Sequence, residues 1–197
     1  MSNDVVNKTR RRVLTTATTV VGAVGVVAVA VPFVGSWNPS AKAKAAGAPV
    51  KANISNIEPG QMITVEWRGK PVYIVRRTSE ALAGLQKTND LVSDPDSEKP
   101  QQPAYAQNAT RAIKDEYLIL LGLCTHLGCA PMFRPDVGAV DLGGEEWQGG
   151  FFCPCHGSKF DLAGRVYKGV PAPINLEVPP HAYESDSVVI IGVDQEA

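Results

Sequence analysis

The sequence predicts a mostly β domain preceded by a single N-terminal transmembrane helix. Its 197 residues include 18 glycines and 15 prolines, and the apolar runs of the second half are short, which is typical of loop-rich β proteins. Near the N-terminus, residues 13–34 carry no charge over 22 positions. The net charge is −1, so the chain has no excess of basic residues to bind nucleic acid, and we expect no nucleic-acid partner.

The chain begins with a basic segment. Residues 9–15 (TRRRVLT) resemble the twin-arginine export signal, in which a hydroxyl residue and two arginines precede hydrophobic residues. We therefore predict that residues 1–12 are a cytoplasmic signal region. The alternative, a basic flank that merely orients a membrane helix, is compatible with export.

The uncharged segment, residues 13–34, is predicted to be a transmembrane anchor. As a helix it would extend about 33 Å, close to the thickness of about 30 Å of a hydrocarbon core. Cleavable signal cores are shorter, so we expect the anchor to be retained, although residues 41–45 (AKAKA) resemble a cleavage site. The positive-inside rule leaves the N-terminus in the cytoplasm. The protein is thus predicted to be a single-pass protein of the bacterial inner membrane.

Residues 35–51 are predicted to be a linker, because they include a low-complexity stretch of alanines and lysines. Residues 52–197 are predicted to form the periplasmic domain. There, residues 61–77 are expected to form a hairpin and residues 79–88 a helix. The polar, proline-containing residues 89–109 are expected to be an irregular insertion.

Further strands are predicted along the domain. Residues 117–123 form a continuous apolar run, and residues 149–152 lead into a cysteine-rich segment in the same way. Residues 175–178 and 188–193 are predicted to be the last strands. His181 is predicted to lie at the surface or on a strand edge, with no chemical role.

All four cysteines and two of the three histidines fall in two boxes, residues 124–129 (CTHLGC) and 153–158 (CPCHGS). A metal site needs such ligands to converge from at least two loops. Cys124 and His126 are too close in sequence for an ordinary zinc knuckle. On an extended backbone they would point to opposite sides, which suits two neighbouring metal ions. The pattern favours a two-iron, two-sulfide cluster with two cysteines on one iron and two histidines on the other.

The boxes closely resemble those of the Rieske proteins of quinol-oxidising cytochrome bc complexes, and the resemblance covers nearly the whole chain. It implies a Rieske-type antiparallel β domain with a cluster-binding subdomain and one [2Fe-2S] cluster. The implied ligands are Cys124 and Cys153 on one iron, and His126 and His156 on the other.

The resemblance also implies roles for residues around the cluster. Cys129 and Cys155 would form a disulfide that ties the two boxes together. Leu127 would shield the cluster and help the domain dock on cytochrome b. Pro171 belongs to residues 169–173 (GVPAP), which resemble the proline-rich loop that covers the cluster in the family.

Two residues of the second box and its neighbourhood bear on the cluster potential. By resemblance, the Ser158 hydroxyl donates a hydrogen bond to a bridging sulfide. The family often has a tyrosine where this chain has Phe160, and that tyrosine donates to a cysteine sulfur. The departure bears on the potential, and leaves the fold and the ligands unaffected.

The implied function is electron transfer in a proton-translocating ubiquinol–cytochrome c reductase. The subunit would take one electron from ubiquinol at cytochrome b and carry it to a c-type cytochrome, in a complex that is dimeric. His156 would hydrogen-bond the quinol, and the linker of residues 35–51 would act as a hinge.

Two other classes of protein remain open. One is the small Rieske subunit of another exported oxidoreductase, such as an arsenite oxidase. The other is a structural zinc module with a Cys2His2 site and two spare thiols. The retained anchor, the long segment of residues 79–115 and Leu127 in the first box favour the quinol enzyme.

Overall fold

The computed structural model of the chain describes residues 7–194, apart from the side chain at position 46. Residues 1–6 of the predicted signal region and residues 195–197 of the predicted domain lie outside this range. The chain divides into two compact units, one ending at Ala45 and the other beginning at Ala46.

The N-terminal unit is dominated by one long helix, α1 (Lys8–Gly35). Its N-cap is Asn7, whose side-chain oxygen accepts hydrogen bonds from the backbone N–H groups of Thr9 and Arg10, both at 3.1 Å. Within residues 7–194, α1 alone is long and apolar enough to cross a membrane. A second helix, α2 (Ala41–Ala46), lies within the predicted linker.

The second unit is built from short antiparallel strands, as the fold prediction requires. Among the described residues, the strands are β1 (Val50–Asn53), β2 (Met62–Trp67), β3 (Lys70–Arg76), β4 (Tyr117–Leu121), β5 (Met132–Arg134), β6 (Gly150–Phe152), β7 (Lys159–Asp161), β8 (His181–Ser185) and β9 (Val188–Ile191). They form three sheets with the strand orders β1-β9-β8, β2-β3-β4 and β5-β6-β7. Each neighbouring pair is antiparallel.

The sheet β2-β3-β4 has a hydrophobic core on each of its faces. In β4, Leu118 and Leu120 belong to one core, which also contains residues of β6 and β7. Ile119 and Leu121 belong to the other core, together with residues of β1 and β9. Successive side chains of a strand point to opposite faces, so a strand buried on both faces has a continuous apolar sequence. This burial explains the apolar run that leads towards the first cysteine.

A helix follows the hairpin, as predicted. The helix α3 (Ser79–Lys87) begins after Thr78, whose hydroxyl oxygen accepts a hydrogen bond from the backbone N–H of Ala81 at 3.1 Å. The insertion that follows is mostly irregular, as expected, and contains one short 3₁₀ turn at Ala104–Ala106.

The prediction of a strand at residues 175–178 is wrong. Leu176 and Val178 are buried, but their N–H groups donate to the carbonyls of Gly164 and Gln101, which both lie in loops. The carbonyl of Glu177 accepts from the N–H of Leu121, the last residue of β4, at 2.8 Å. This single bond and the two loop contacts do not make a strand pairing.

The prediction that His181 lies at the surface is also wrong, although the residue does begin the edge strand β8. Its side chain is 1% exposed and packs against the rings of Tyr105 and Tyr183. Its Nδ1 lies 2.8 Å from the carbonyl oxygen of Pro179. Burial lowers the pKa of His181 below its ordinary value, because the charged ring would lose its hydration.

Candidate metal centre

Each cysteine-rich box follows closely on a buried strand. Strand β4 ends three residues before Cys124, and β6 ends immediately before Cys153. The first connection passes Gly122, where an added Cβ would fall 2.4 Å from the ring of Tyr73. The hydroxyl of Tyr73 donates to the carbonyl of Pro131 at 3.0 Å. A single buried side chain therefore contacts the chain both before and after the first box.

The two boxes form the same kind of turn. In the first, the carbonyl of Cys124 accepts from the N–H of Gly128 at 2.8 Å, and its N–H donates to the carbonyl of Cys129 at 2.7 Å. The second box repeats these bonds, at 2.9 and 2.8 Å, with Cys153, Gly157 and Ser158. The two glycines have φ values of 82° and 78°, in the left-handed region that glycine adopts at little cost. The expectation of an extended backbone in the first box is therefore wrong.

The four cysteines fall into two pairs. Cys129 and Cys155 form a disulfide that joins the boxes, which confirms the predicted pairing. Cys124 and Cys153 are free and buried. The sulfurs of Cys129, Cys153 and Cys155 lie within 4.8 Å of one another. That trio is not a thiolate set, because two of its members are consumed by the disulfide.

The two box histidines lie side by side. The ring centroids of His126 and His156 are 4.7 Å apart, and the ring planes are nearly perpendicular, at 87°. His156 is exposed, whereas His126 is half-buried. The Nδ1 of His126 is buried without a hydrogen-bond partner among the described residues. A buried ring nitrogen without a partner is costly, and metal ligation would satisfy it.

These donors fit a Rieske cluster. Two buried thiols can be deprotonated by metal binding, and two adjacent imidazoles supply nitrogen ligands of the type that replaces two thiolates in a Rieske centre. Burial raises the pKa of the Cys124 thiol, while hydrogen bonds from the His126 backbone and the Ser158 side chain act in the opposite direction. The arrangement offers two thiolates inside and two imidazoles nearer the surface.

A proline-containing loop lies against both boxes. The hydroxyl of Thr125 donates to the carbonyl of Ile174 at 2.6 Å. The N–H of Ala172 donates to the Oγ of Ser158 at 3.0 Å. Neither contact could be predicted from the sequence, because each joins two loops that are separated along the chain and meet only in the folded domain. Pro171, in the same loop, is exposed.

The other predicted site residues, Leu127 and Phe160, differ in their exposure. Leu127 is 72% exposed, and it neighbours His126 at the surface. Phe160 is fully buried, in the same hydrophobic core as Cys124 and Cys153. The predicted set thus contains both exposed and buried residues.

Comparison with known proteins assigns the chain to a family. The family described as "Rieske [2Fe-2S] domain" matches residues 48–180. The family described as "Ubiquitinol-cytochrome C reductase Fe-S subunit TAT signal" matches residues 1–40. The ubiquinol-cytochrome c reductase iron-sulfur subunit of Allochromatium vinosum is 58% identical over 99% of this chain and 94% of that protein. The chain belongs to this family of iron–sulfur subunits.

A second relative supports the same assignment. The iron–sulfur subunit of Blastochloris viridis is 42% identical, over 97% of this chain and 97% of that protein. Family membership confirms the Rieske [2Fe-2S] domain with its cluster, and the match at residues 1–40 confirms the twin-arginine signal. It also decides between the two oxidoreductase hypotheses, because the relatives carry the name of the quinol enzyme.

Proposed function

We propose that this iron–sulfur subunit accepts one electron from ubiquinol at cytochrome b and carries it to a c-type cytochrome, with release of protons. The ligands in this proposal are Cys124 and Cys153 on one iron and His126 and His156 on the other. When bound, the cluster supplies a one-electron acceptor whose potential is raised by the two neutral imidazoles.

The observation that carries the proposal is the exposure gradient across the donors. The thiols of Cys124 and Cys153 are 3% and 1% exposed, whereas His156 is open to solvent. A quinol therefore reaches the site only from the imidazole side. His156 would accept a hydrogen bond from the quinol hydroxyl at its solvent-facing ring nitrogen and hold the proton there.

The surface beside the imidazoles suits an apolar partner. Leu127 is exposed next to His126, and Pro171 is exposed on the loop that contacts both boxes. An exposed leucine at the centre of a functional site is favourable when a protein partner covers it. Docking of this surface on cytochrome b would exclude water from the quinol.

The remaining parts of the chain would serve delivery and anchoring. The proposed boundaries are residues 1–12 for the cytoplasmic signal, 13–34 for the inner-membrane anchor, 35–51 for the hinge, and 52–197 for the periplasmic domain. Helix α1 supports the anchor by its length and apolar composition. A folded, cluster-loaded domain requires a pathway that exports folded proteins, which is what the twin-arginine signal provides. The complex would be a dimer.

The proposal can be tested in membranes of a bacterium that lacks its own copy of the subunit. Complementation with the wild type should restore quinol-dependent cytochrome c reduction and the EPR signal of the reduced cluster. His156→Gln should abolish the reduction of cytochrome c. His181→Asn is the matched control, since it changes the histidine outside the boxes and should keep both readouts. Two results would overturn the proposal. One is a wild type that shows the EPR signal of the cluster but does not reduce cytochrome c with quinol, and the other is full activity of His156→Gln.

A further inference from the structure

The β5–β6 loop, residues 135–149, lies at the opposite end of its hairpin from the cysteine-rich boxes. The first box precedes β5 and the second follows β6, and the two strands pair antiparallel, with Met132 opposite Phe152 and Arg134 opposite Gly150. The boxes therefore meet at the Met132 end of the hairpin, and the β5–β6 loop leaves it at the Arg134 end. A partner bound to this loop would contact a different surface from the one beside the imidazoles.

An arginine fixes the conformation of the β5–β6 loop. The guanidinium of Arg134 donates two hydrogen bonds to the carboxylate of Asp136, at 3.0 and 2.9 Å, and two to that of Asp141, at 2.9 and 3.1 Å. Bidentate pairs of this kind impose a specific geometry. On the backbone, the N–H of Gly138 donates to the carbonyl of the buried Trp147 at 2.8 Å. The loop is therefore pre-organised, which reduces the entropy that it would lose on binding a partner.

Two valines of this fixed loop are exposed. Val140 is 92% exposed and Val137 is 63% exposed. Val137 also lines a cleft of about 100 Å³ between the loop and the start of α3, together with the apolar side chains of Ala81, Phe133 and Leu162. The cleft is smaller than a cavity of roughly 150 Å³ that accommodates benzene. It therefore has room for one aliphatic side chain, and not for a larger organic ligand.

The charge around these apolar groups is negative. The loop contains four carboxylates and, with the arginine that precedes it, has a net charge of −3. Glu145 and Glu146 are exposed and form no ion pair among the residues that the structure describes. Lys159 adds one cation, whose ammonium group donates to a carbonyl of the loop at 3.1 Å. At the cleft, Arg76 is paired with Glu116. The excess of carboxylates favours a cationic partner.

We propose that the β5–β6 loop is a second docking surface of the domain, and that it binds a basic protein segment which inserts one aliphatic side chain into the cleft beside Val137. Val140 packs against the partner around this anchor, and Glu145 and Glu146 face its lysines or arginines. The partner is a protein and not a lipid surface, because anionic headgroups attract basic residues and repel carboxylates. The inference is independent of the proposed quinol chemistry, since no cluster ligand takes part.

Photo-crosslinking from position 140 in bacterial membranes tests this surface. Val140→Cys adds a thiol that a benzophenone maleimide can label, because the native cysteines are either buried or joined in the disulfide. We expect a crosslink to a protein segment rich in lysine or arginine, identified by mass spectrometry of the crosslinked peptides. The wild type is the control for labelling. Val193→Cys is the control for position, since Val193 is an exposed valine that follows β9, and it should not give this product.

Charge variants in the Val140→Cys background show whether the contact is specific. Glu145→Lys should lower the yield of the crosslink about two- to fivefold, the range expected for an exposed ion pair, and added salt should lower it as well. Glu146→Lys is the second variant at this surface. Glu66→Lys makes the same change of charge at an exposed position of β2 and should leave the yield unchanged. The EPR signal of the cluster confirms that each variant is folded.

The outcomes separate this inference from the proposed function. A crosslink to lipid alone, no crosslink at all, or a crosslink to a segment without basic residues would overturn the inference. An equal loss of yield in Glu145→Lys and Glu66→Lys would also overturn it. None of these results affects the proposed function, which fails instead if the wild type does not reduce cytochrome c with quinol.

Discussion

Individual side chains control the polarity around the two buried thiols. Ser158 brings a hydroxyl to the side of Cys124, whereas Phe160 brings only hydrocarbon to the core that contains both thiols. A hydrogen bond to a sulfur strengthens as the cluster gains negative charge, so it favours the reduced form. We therefore expect the potential of the cluster to depend on these two side chains.

Phe160→Tyr should therefore raise the midpoint potential, and Ser158→Ala should lower it. Only the difference in bond strength between redox states counts, and 1.4 kcal/mol corresponds to about 59 mV for one electron. We expect shifts of tens of millivolts, measured by redox titration. A crystal structure of the Phe160→Tyr variant must accompany it, since the ring is 0% exposed and the hydroxyl needs room. An unchanged potential with the hydroxyl bonded to a sulfur would contradict this account.

His181 predicts a dependence of stability on pH. Burial lowers its pKa in the folded domain, and the facing groups are the rings of Tyr105 and Tyr183, the carbonyl of Pro179 and, as a favourable charge, Asp194. The unfolded chain then binds the proton at a higher pH than the folded chain. Stability should fall as the pH drops below about 6.5.

The matched variant for this pH dependence is His181→Asn, which retains a donor near the position of Nδ1. Thermal unfolding midpoints of the wild type should drop between pH 7.5 and pH 5.5, and the variant should show a smaller drop. Comparison of the two proteins cancels any titration of the box histidines. Identical drops would show that His181 does not carry the effect.

At the scale of elements, the site depends on two strands that end close to each other. The continuous apolar sequence of β4 predicts burial on both faces, and the cysteine spacing predicts converging loops. What the sequence could not predict is which backbone groups pair. Residues 175–178 have the alternation of a strand, yet Leu176 and Val178 find their acceptors in two separate loops. Periodicity reports which side chains are buried, whereas strand pairing depends on long-range neighbours.

The disulfide between the boxes should stabilise the domain. It links residues 26 positions apart, for which the restriction of the unfolded chain amounts to roughly 3.5 kcal/mol. Cys129→Ser should lower the free energy of unfolding by about 2–5 kcal/mol and speed the loss of the cluster, measured by denaturant titration and by decay of the visible absorbance. The double variant Cys129→Ser/Cys155→Ser is the control for an unpaired thiol. Equal stability of both variants and the wild type would contradict the role of the disulfide.

At the scale of the whole molecule, the chain combines an export signal, an apolar helix and a cofactor domain. The sequence predicted all three, because each depends on composition or on a local motif. It did not predict the helix α2 in the low-complexity stretch, where alanine and lysine have high helix propensity but a run of six residues is short for a stable isolated helix.

Export is testable with the arginines of the signal. Arg10, Arg11 and Arg12 changed together to lysine should leave the protein in the cytoplasm, because the positive charge remains while the arginine pair is lost. All three are changed because any two neighbouring arginines that remained could still act as the pair. Lys42→Arg with Lys44→Arg is the control and should be exported normally. Since the exported protein is expected to stay anchored in the membrane, export is measured by digestion of spheroplasts with an added protease. A triple variant whose domain is digested as fully as that of the wild type would refute the signal.

The central claim is that two thiolates and two imidazoles from the two boxes hold one [2Fe-2S] cluster. The most direct measurement is electron–nuclear double resonance on the reduced protein with ¹⁵N-labelled histidine, which counts the nitrogens bound to iron. The account predicts two histidine nitrogens in the wild type and in His181→Asn. A protein without nitrogen couplings, or one whose couplings are lost in His181→Asn, would contradict it.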